Sequence, residues 1–349
     1  MSIRDIFLNL FDELTQVLIK ELPNLDQFTE TSKEYLEKLI RYNVPKGKLT
    51  RGLGLVNTFV TIVQTQRKVT KTEIRLSMIL GWCIEWLQAS LLVADDYLDQ
   101  SLTRRGQKCW YRVVGIRAIN DALLLESCLY VFLKKYFKKY SSYRVLLELF
   151  LSVTFKTELG QTLDLSSVDV KEKPIIEKFN VTYYNQIVRL KTSYYSFYLP
   201  VSLGIALSSD FVDLGIDLSQ LLEQVKNPLI KMGELFQVQD DYLDNYGETK
   251  IIGKHGTDIQ DGKCSWLIVN ALEIANEKQK EILINNYSKQ DKECIEKIKT
   301  IYDELNLKKL FIEYQEKSFQ EIQLMITKLT HLPKSIFENL LNKIYKRQK

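Results

Sequence analysis

The pentapeptide DDYLD occurs twice, at Asp95–Asp99 and at Asp240–Asp244, and each copy closes an apolar stretch, LLVADDYLD and LFQVQDDYLD. Carboxylates are costly to bury unpaired. A chain that ends two apolar segments on them must bring something cationic to both. In an α-helix, about 100° per residue puts the first and fifth acids of each copy about 40° apart, with a rise of about 6 Å between them. Asp95 and Asp99 then share one face, and Asp240 and Asp244 share another. A single copy reads as a solvated face; two identical copies on apolar segments read as a pair. Turned toward each other, the two faces form an oxygen-lined site for hard cations. Magnesium suits it, because it takes one or two carboxylates together with water and substrate phosphate oxygens.

The remaining sequence is patterned as helix. Ile3, Phe7, Leu10, Leu14 and Val17 follow steps of four and three, which makes one apolar stripe, and Pro23 ends it. Thr31 with Glu34 predicts a capping box ahead of Tyr35, Leu36, Leu39 and Ile40. Pro45 and Gly47 mark a turn before a helix from about Leu53 to Val63. Thr70 with Glu73 predicts a second box, opening the stretch through Trp82, Trp86 and Leu87 into the first DDYLD. SLTRRGQK is a polar loop. Asn120–Phe137 and Tyr143 to about Leu163 read as long helices, apolar enough all round to be buried. Lys173–Pro174 opens the next, which leads into RLKTSYYSFYLP, where Pro200 bends or breaks it. Asn227–Pro228 fits an N-cap and first helical residue for the segment carrying the second DDYLD. GETKIIGKHGTDIQDGK is a glycine-containing loop, and CSWLIVNALEIA begins a final series of amphipathic segments. No run of alternating residues demands a sheet. The expectation is one all-α domain over residues 1–349.

The totals narrow the function. With 48 basic and 44 acidic residues the net charge is +4, too even to suggest nucleic acid or a membrane surface as partner. Cys83, Cys109, Cys128, Cys264 and Cys294 form no CxxC, and an odd count without a secretory signal predicts reduced thiols in the cytoplasm. The first residues carry Asp5, Asp12 and Glu13, unlike a signal or transit peptide. No apolar run reads as long enough to span a bilayer.

Basic residues stand where the acidic pair needs them. Arg104 and Arg105 follow the first motif, and a guanidinium binds phosphate through two parallel hydrogen bonds. Lys48 and Arg51 lie in PKGKLTRG, a turn feeding a helix start, which favours an anion. Lys254 and Lys263 flank the glycine-containing loop after the second motif. The grouping suggests two sites, one metal–diphosphate and one purely basic.

Taken together, GKLTRG, LQASLLVADDYLDQSLTRRGQKCWY, TELGQTLDL, LKTSYYSFYLP, GELFQVQDDYLD, GKHGTDIQDGKCSW and the tail IYKRQK resemble the short-chain trans-prenyltransferases, nearest the eukaryotic farnesyl diphosphate synthase branch. The resemblance covers nearly the whole chain. It implies an all-α isoprenoid-synthase bundle around a deep central cavity, usually a homodimer. It implies that Asp95, Asp99 and Asp240 hold three magnesium ions with an allylic diphosphate, supported by Asp244, Asp164 and Asp258. Arg104, Lys191, Lys254 and Lys263 would contact that diphosphate, and Lys48, Arg51, Gln88, Arg105 and Arg347 would hold isopentenyl diphosphate. Thr192, Gln237 and Tyr195 would line the reaction centre, with Phe236 positioning the homoallylic double bond.

The implied reaction ionises the allylic carbon–oxygen bond, adds the isopentenyl double bond to the carbocation and loses a proton. It needs no protein nucleophile, so His255 and His331 need no catalytic role. The main product implied is farnesyl diphosphate, made from dimethylallyl and geranyl diphosphate. Ser90 and Leu91 depart from the bulky aromatics that many farnesyl-forming relatives place before the first motif. A deeper floor there would give geranylgeranyl diphosphate, unless Trp86, Tyr97 or a dimer neighbour closes it. The alternatives are a geranyl or geranylgeranyl diphosphate synthase, a terpene synthase derived from this family, or a partner subunit without catalysis.

Overall fold

The computed structural model describes residues 2–21, 30–167, 176–247, 256–345 and 347. Pro23, Lys173, Pro174, Lys254 and His255 lie outside them. The chain is all-α. Its helices are α1 (Ile3–Glu21), α2 (Glu30–Asn43), α3 (Thr50–Gln64), α4 (Lys71–Leu98), α5 (Tyr111–Val114), α6 (Ala118–Phe132), α7 (Tyr143–Ser166), α8 (Val181–Val188), α9 (Leu199–Ser208) and α10 (Leu218–Tyr246). Five more follow: α11 (Trp266–Ile274), α12 (Glu277–Asn286), α13 (Lys292–Glu304), α14 (Leu307–Thr327) and α15 (Ser335–Ile344). Between α4 and α5 a two-residue hairpin, β1 (Thr103–Arg104) with β2 (Gln107–Lys108), replaces the expected loop. Arg105 and Gly106 both have positive φ, 54° and 77°, as a two-residue primed turn requires.

The chain divides into two compact units, Met1–Leu151 with Leu199–Gln220, and Ser152–Tyr198 with Leu221–Lys349. In the first, α4 is the central helix. Its N-terminus carries the predicted capping box, with Thr70 accepting from the Glu73 N–H and Glu73 returning to the Thr70 N–H. Arg67 pairs with the same Glu73 carboxylate at 2.8 Å. Gly52 of α3 and Gly81 of α4 meet backbone to backbone, since a Cβ on either would lie 2.8 Å from the other's carbonyl oxygen. Below that crossing Trp82 stacks on Phe7 at 4.5 Å and donates its indole N–H to the Phe7 carbonyl. Trp86 packs against Phe132 of α6 at 5.1 Å.

The expectation that no apolar run is long enough to span a bilayer fails for α4. Among the described residues α4 is long and apolar enough to cross a bilayer. Of its most apolar window, however, 89% is buried inside the protein, so it is a core helix.

In the second unit Tyr184, Trp266, Tyr287, Tyr302 and Phe311 form an aromatic core. Its unusual element is the ten-residue π-helix Arg189–Tyr198 that continues α8. Pro200 was expected to bend or break the helix; instead the wide turns run into α9, in which Pro200 is the buried second residue. A π-helix draws each N–H to the fifth carbonyl back, and such segments concentrate at functional sites. Two glycines accommodate it. A Cβ on Gly160 of α7 would overlap the backbone of Leu190 and Lys191, and one on Gly233 of α10 would overlap Ser193.

Other boundaries moved. The helix carrying the second DDYLD starts at Leu218, so Pro228 lies inside α10 rather than at its start. The true signal is Asp217, whose carboxylate accepts from the Ser219 N–H at 2.9 Å and the Gln220 N–H at 3.4 Å. Thr31 lies within α2, which already begins at Glu30, and α3 begins at Thr50, ahead of Leu53.

Two stability measurements follow. The Arg67 side chain, ahead of burial and the cap, holds the Glu73 carboxyl below its usual range. Its contribution is therefore present above the unfolded glutamate value, about 4.3, and is lost as pH falls through the lower folded value. Glu73→Gln is expected to cost about 1 kcal/mol at neutral pH. Denaturant midpoints should show that gap closing as the pH is lowered below about 4. Gly160→Ala is expected to destabilise by about 3 kcal/mol or more through overpacking. Gly54→Ala, where a Cβ meets nothing within 4 Å, is the control and should be neutral or stabilising.

Candidate active site

Each DDYLD divides its acids in the same way. In the first, on the last turn of α4, Asp95 and Asp99 are half-buried and Asp96 is buried. In the second, near the end of α10, Asp240 is exposed, Asp244 half-buried and Asp241 buried. The helical spacing thus leaves the first and fifth carboxylates accessible on one face and turns the second inward. The inward acids are satisfied by the protein. Asp96 receives two hydrogen bonds from Arg104, at 2.8 and 2.5 Å, and Arg104 also reaches Asp95 at 3.5 Å.

Asp241 accepts from Tyr184 Oη at 2.7 Å, the Trp266 N–H at 2.7 Å and Gln237 Nε2 at 2.9 Å. Burial pushes its carboxyl up to about 6 against those three bonds. The network continues outward, because Gln237 presents its remaining oxygen to the Thr192 hydroxyl at 2.8 Å. Asp241 therefore fixes the amide of Gln237, and Gln237 fixes the hydroxyl of Thr192 on the π-helix. Tyr195, on the same π-helix, is half-buried.

Asp164, near the end of α7, is buried between two amines, Lys191 Nζ at 2.7 Å and Lys263 Nζ at 3.0 Å. Burial alone would raise its carboxyl, but the two lysines win and hold it below the usual range. The close approach that Gly160 permits is what brings Lys191 to this helix. Asp244 accepts from the Asp258 N–H at 3.0 Å. Arg347 lies over the Phe236 ring at 3.8 Å and pairs with Asp240 at 2.5 Å, so the tail arginine sits on the second acidic motif.

The first unit gathers the basic residues. Arg4 donates to the carbonyls of Lys48, at 2.7 Å, and Gly47, at 3.2 Å. The Arg105 guanidinium lies against Gly47, where a Cβ would stand 2.7 Å from its Cζ. Glu85 of α4, 2% exposed, accepts the Gly52 N–H at 2.8 Å, and the Arg51 N–H also donates to it. Burial raises the Glu85 carboxyl; Gly52, then Arg51 and Arg105, pull it back part of the way. The anion site expected at the start of α3 is thus already served by an internal carboxylate at its backbone donors. An external anion would meet side-chain cations. Gln88 is half-buried one turn further along α4. Ser90 is buried and Leu91 half-buried. Ser90 stands one turn above Trp86, whose ring is also held by Phe11 at 5.5 Å and Trp82 at 5.8 Å.

The accessible donors are all carboxylate oxygens, the chemistry of a hard cation. Among the described residues no three His, Cys, Asp or Glu groups are gathered closely enough to cage a metal by themselves.

Three internal acids escaped sequence reasoning as functional groups: Glu85, Asp96 and Asp241. Glu85 had a signal, as the only charge in ILGWCIEWLQASLL. The other two differ from their neighbours only in the direction they face.

The polyprenyl synthetase profile matches residues 33–305. Farnesyl pyrophosphate synthase 2 of Cannabis sativa is 43% identical, with both chains covered completely. Farnesyl pyrophosphate synthase of Artemisia annua is 44% identical over 100% of this chain and 99% of its own. Among solved structures, T. brucei farnesyl diphosphate synthase complexed with the bisphosphonate BPH-722 superposes with a TM-score of 0.90 at 32% identity, covering 100% of both chains. With its two acidic helix ends and a match over most of its length, this chain belongs to the polyprenyl synthetase family.

Proposed function

We propose that this chain condenses isopentenyl diphosphate with dimethylallyl and then geranyl diphosphate, giving mainly (E,E)-farnesyl diphosphate. The carrying observation is the shared division of labour in the two DDYLD copies: first and fifth acids accessible, second acid internally satisfied. Full-length similarity to proteins named farnesyl pyrophosphate synthase supports the product class.

In this reading Asp95, Asp99, Asp240 and Asp244 supply oxygens for magnesium, with Asp164 behind them. Bound magnesium supplies positive charge to the departing diphosphate. Arg104, Lys191 and Lys263 add fixed positive charge where negative charge grows as the carbon–oxygen bond breaks, which favours the transition state over the ground state. The oxygens of Thr192 and Gln237, locked by Asp241, face the carbocation without a free nucleophile to capture it. Tyr195 and Phe236 give the hydrocarbon its walls. Water must be kept from the centre, because it would quench the cation. Lys48, Arg51, Gln88 and Arg105 hold the second diphosphate, and the isopentenyl double bond attacks from there. The proton lost from the adduct goes to the released diphosphate.

The test is incubation with magnesium, isopentenyl diphosphate and each allylic diphosphate, followed by product chromatography. A fifteen-carbon product that disappears on chelation is expected. A twenty-carbon product would move the cavity floor below Ser90 and Trp86. A cyclised hydrocarbon, or no condensation, would sink the reading. Asp95→Ala and Asp240→Ala should each lower kcat by about a hundredfold or more. Their double variant should cost less than the two effects combined, as groups acting on one diphosphate do.

We further propose a homodimer. Along α7, Leu151, Phe155 and Leu159 recur every fourth residue and are exposed, Phe155 by 61%. Exposed large apolar stripes of this kind mark association surfaces. Sedimentation velocity should give a dimer that Phe155→Glu converts to a monomer; an unchanged dimer would place the interface elsewhere.

A further inference from the structure

Glu85 is an acid in the middle of α4, a long apolar core helix, and is only 2% exposed. Such a group persists only where its surroundings answer the charge. Two sets of partners do so. The first is the start of α3, whose Gly52 N–H donates at 2.8 Å, with the Arg51 N–H beside it. The residue before that helix, Leu49, is left-handed at φ 53° and makes no side-chain cap. Glu85 therefore satisfies orphan donors that the local sequence leaves open. The second set is electrostatic, the guanidinium charges of Arg51 and Arg105.

The same turn is held from two other directions. Arg4 ties down the Lys48 and Gly47 carbonyls, and Arg105 lies against Gly47, a residue with φ 126° and no side chain to obstruct it. Arg51 and Arg105 are thus two like charges brought to one carboxylate. Without an internal anion they would repel one another, and the helix start bearing Arg51 would lose its anchor.

We infer that Glu85 is the positioning residue of the basic site for the non-ionising diphosphate, fixing the α3 start and its arginine without itself touching substrate. The inference rests on the function proposed above. Glu85 carries two separable contributions, an acceptor for backbone N–H groups and a negative charge among the cations. Glu85→Gln keeps the acceptor and removes the charge. Glu85→Ala removes both.

The experiment measures binding of isopentenyl diphosphate by calorimetry, KM for each substrate, and thermal midpoint, for wild type and both variants. Glu85→Ala is expected to raise the KM and Kd for isopentenyl diphosphate by about tenfold or more, the loss of roughly one charge-assisted contact. The KM for dimethylallyl diphosphate should stay within about twofold of wild type. Glu85→Gln should fall between, and it decides the matter if the alanine variant does not fold. A merely structural role would lower the thermal midpoint while leaving both KM values together, and that outcome overturns the assignment. Equal weakening of both substrates overturns it too. If wild type binds and condenses isopentenyl diphosphate but the variants show no selective shift, only this assignment falls. If wild type binds none, the proposed function falls with it.

Discussion

A carboxylate taken out of water must be met by a cation or by several hydrogen-bond donors. The structure returns to that constraint repeatedly. Glu85 is met by a helix start and two arginines, Asp96 by Arg104, Asp164 by Lys191 and Lys263, and Asp241 by a phenol, an amide and a backbone N–H. All but the Asp96–Arg104 pairing tie together elements distant in sequence. Asp164 and Lys191 join α7 to the π-helix, and Asp241 joins α10 to α8 and to the first residue of α11. The apolar core could be repacked with other hydrophobic residues of similar volume at modest cost. Removing one member of these polar groups leaves a buried charge or donor behind, which costs far more.

The internal acids also set the chemistry available to the outer ones. Asp96 and Asp241 are engaged in the interior, whereas Asp95, Asp240 and Asp244 meet Arg104, Arg347 and the Asp258 N–H nearer the surface. Lys191 and Lys263, bound to Asp164, are held in place rather than free to wander, so their charge is preorganised. The arrangement suits a reaction in which the protein contributes placed charge and dry surface and forms no covalent bond of its own.

Much of this was legible in the sequence. Helical spacing in DDYLD gave the shared face of its first and fifth acids, and Thr70 with Glu73 marked the start of α4 correctly. Local rules failed where a longer-range partner decided. Asn227–Pro228 had every local mark of a helix start, yet Asp217 caps the chain ten residues earlier and packing carries α10 through the proline. Pro200 looked like a breaker because the rule assumes α-helical hydrogen bonding, and a π-helix precedes it. Glu85 read as part of a core helix, since nothing nearby in sequence announces that Gly52 and Arg51 will meet it. The role of the glycines in TELGQ and MGELF depends on a helix that is wider than usual passing between them.

That wide segment has a consequence for how the sequence can change. A single-turn π-bulge is one residue more than the α-turn it replaces, and here the excess is spread over ten residues holding Lys191, Thr192 and Tyr195. Deleting any one of those residues would rewind the segment toward α geometry and swing the side chains beyond it by about 100°. Substitutions can be absorbed there one at a time, but length cannot. Between Gly160 and Gly233 the chain is held to an insertion that it can no longer lose without turning Lys191 and Thr192 away from their partners.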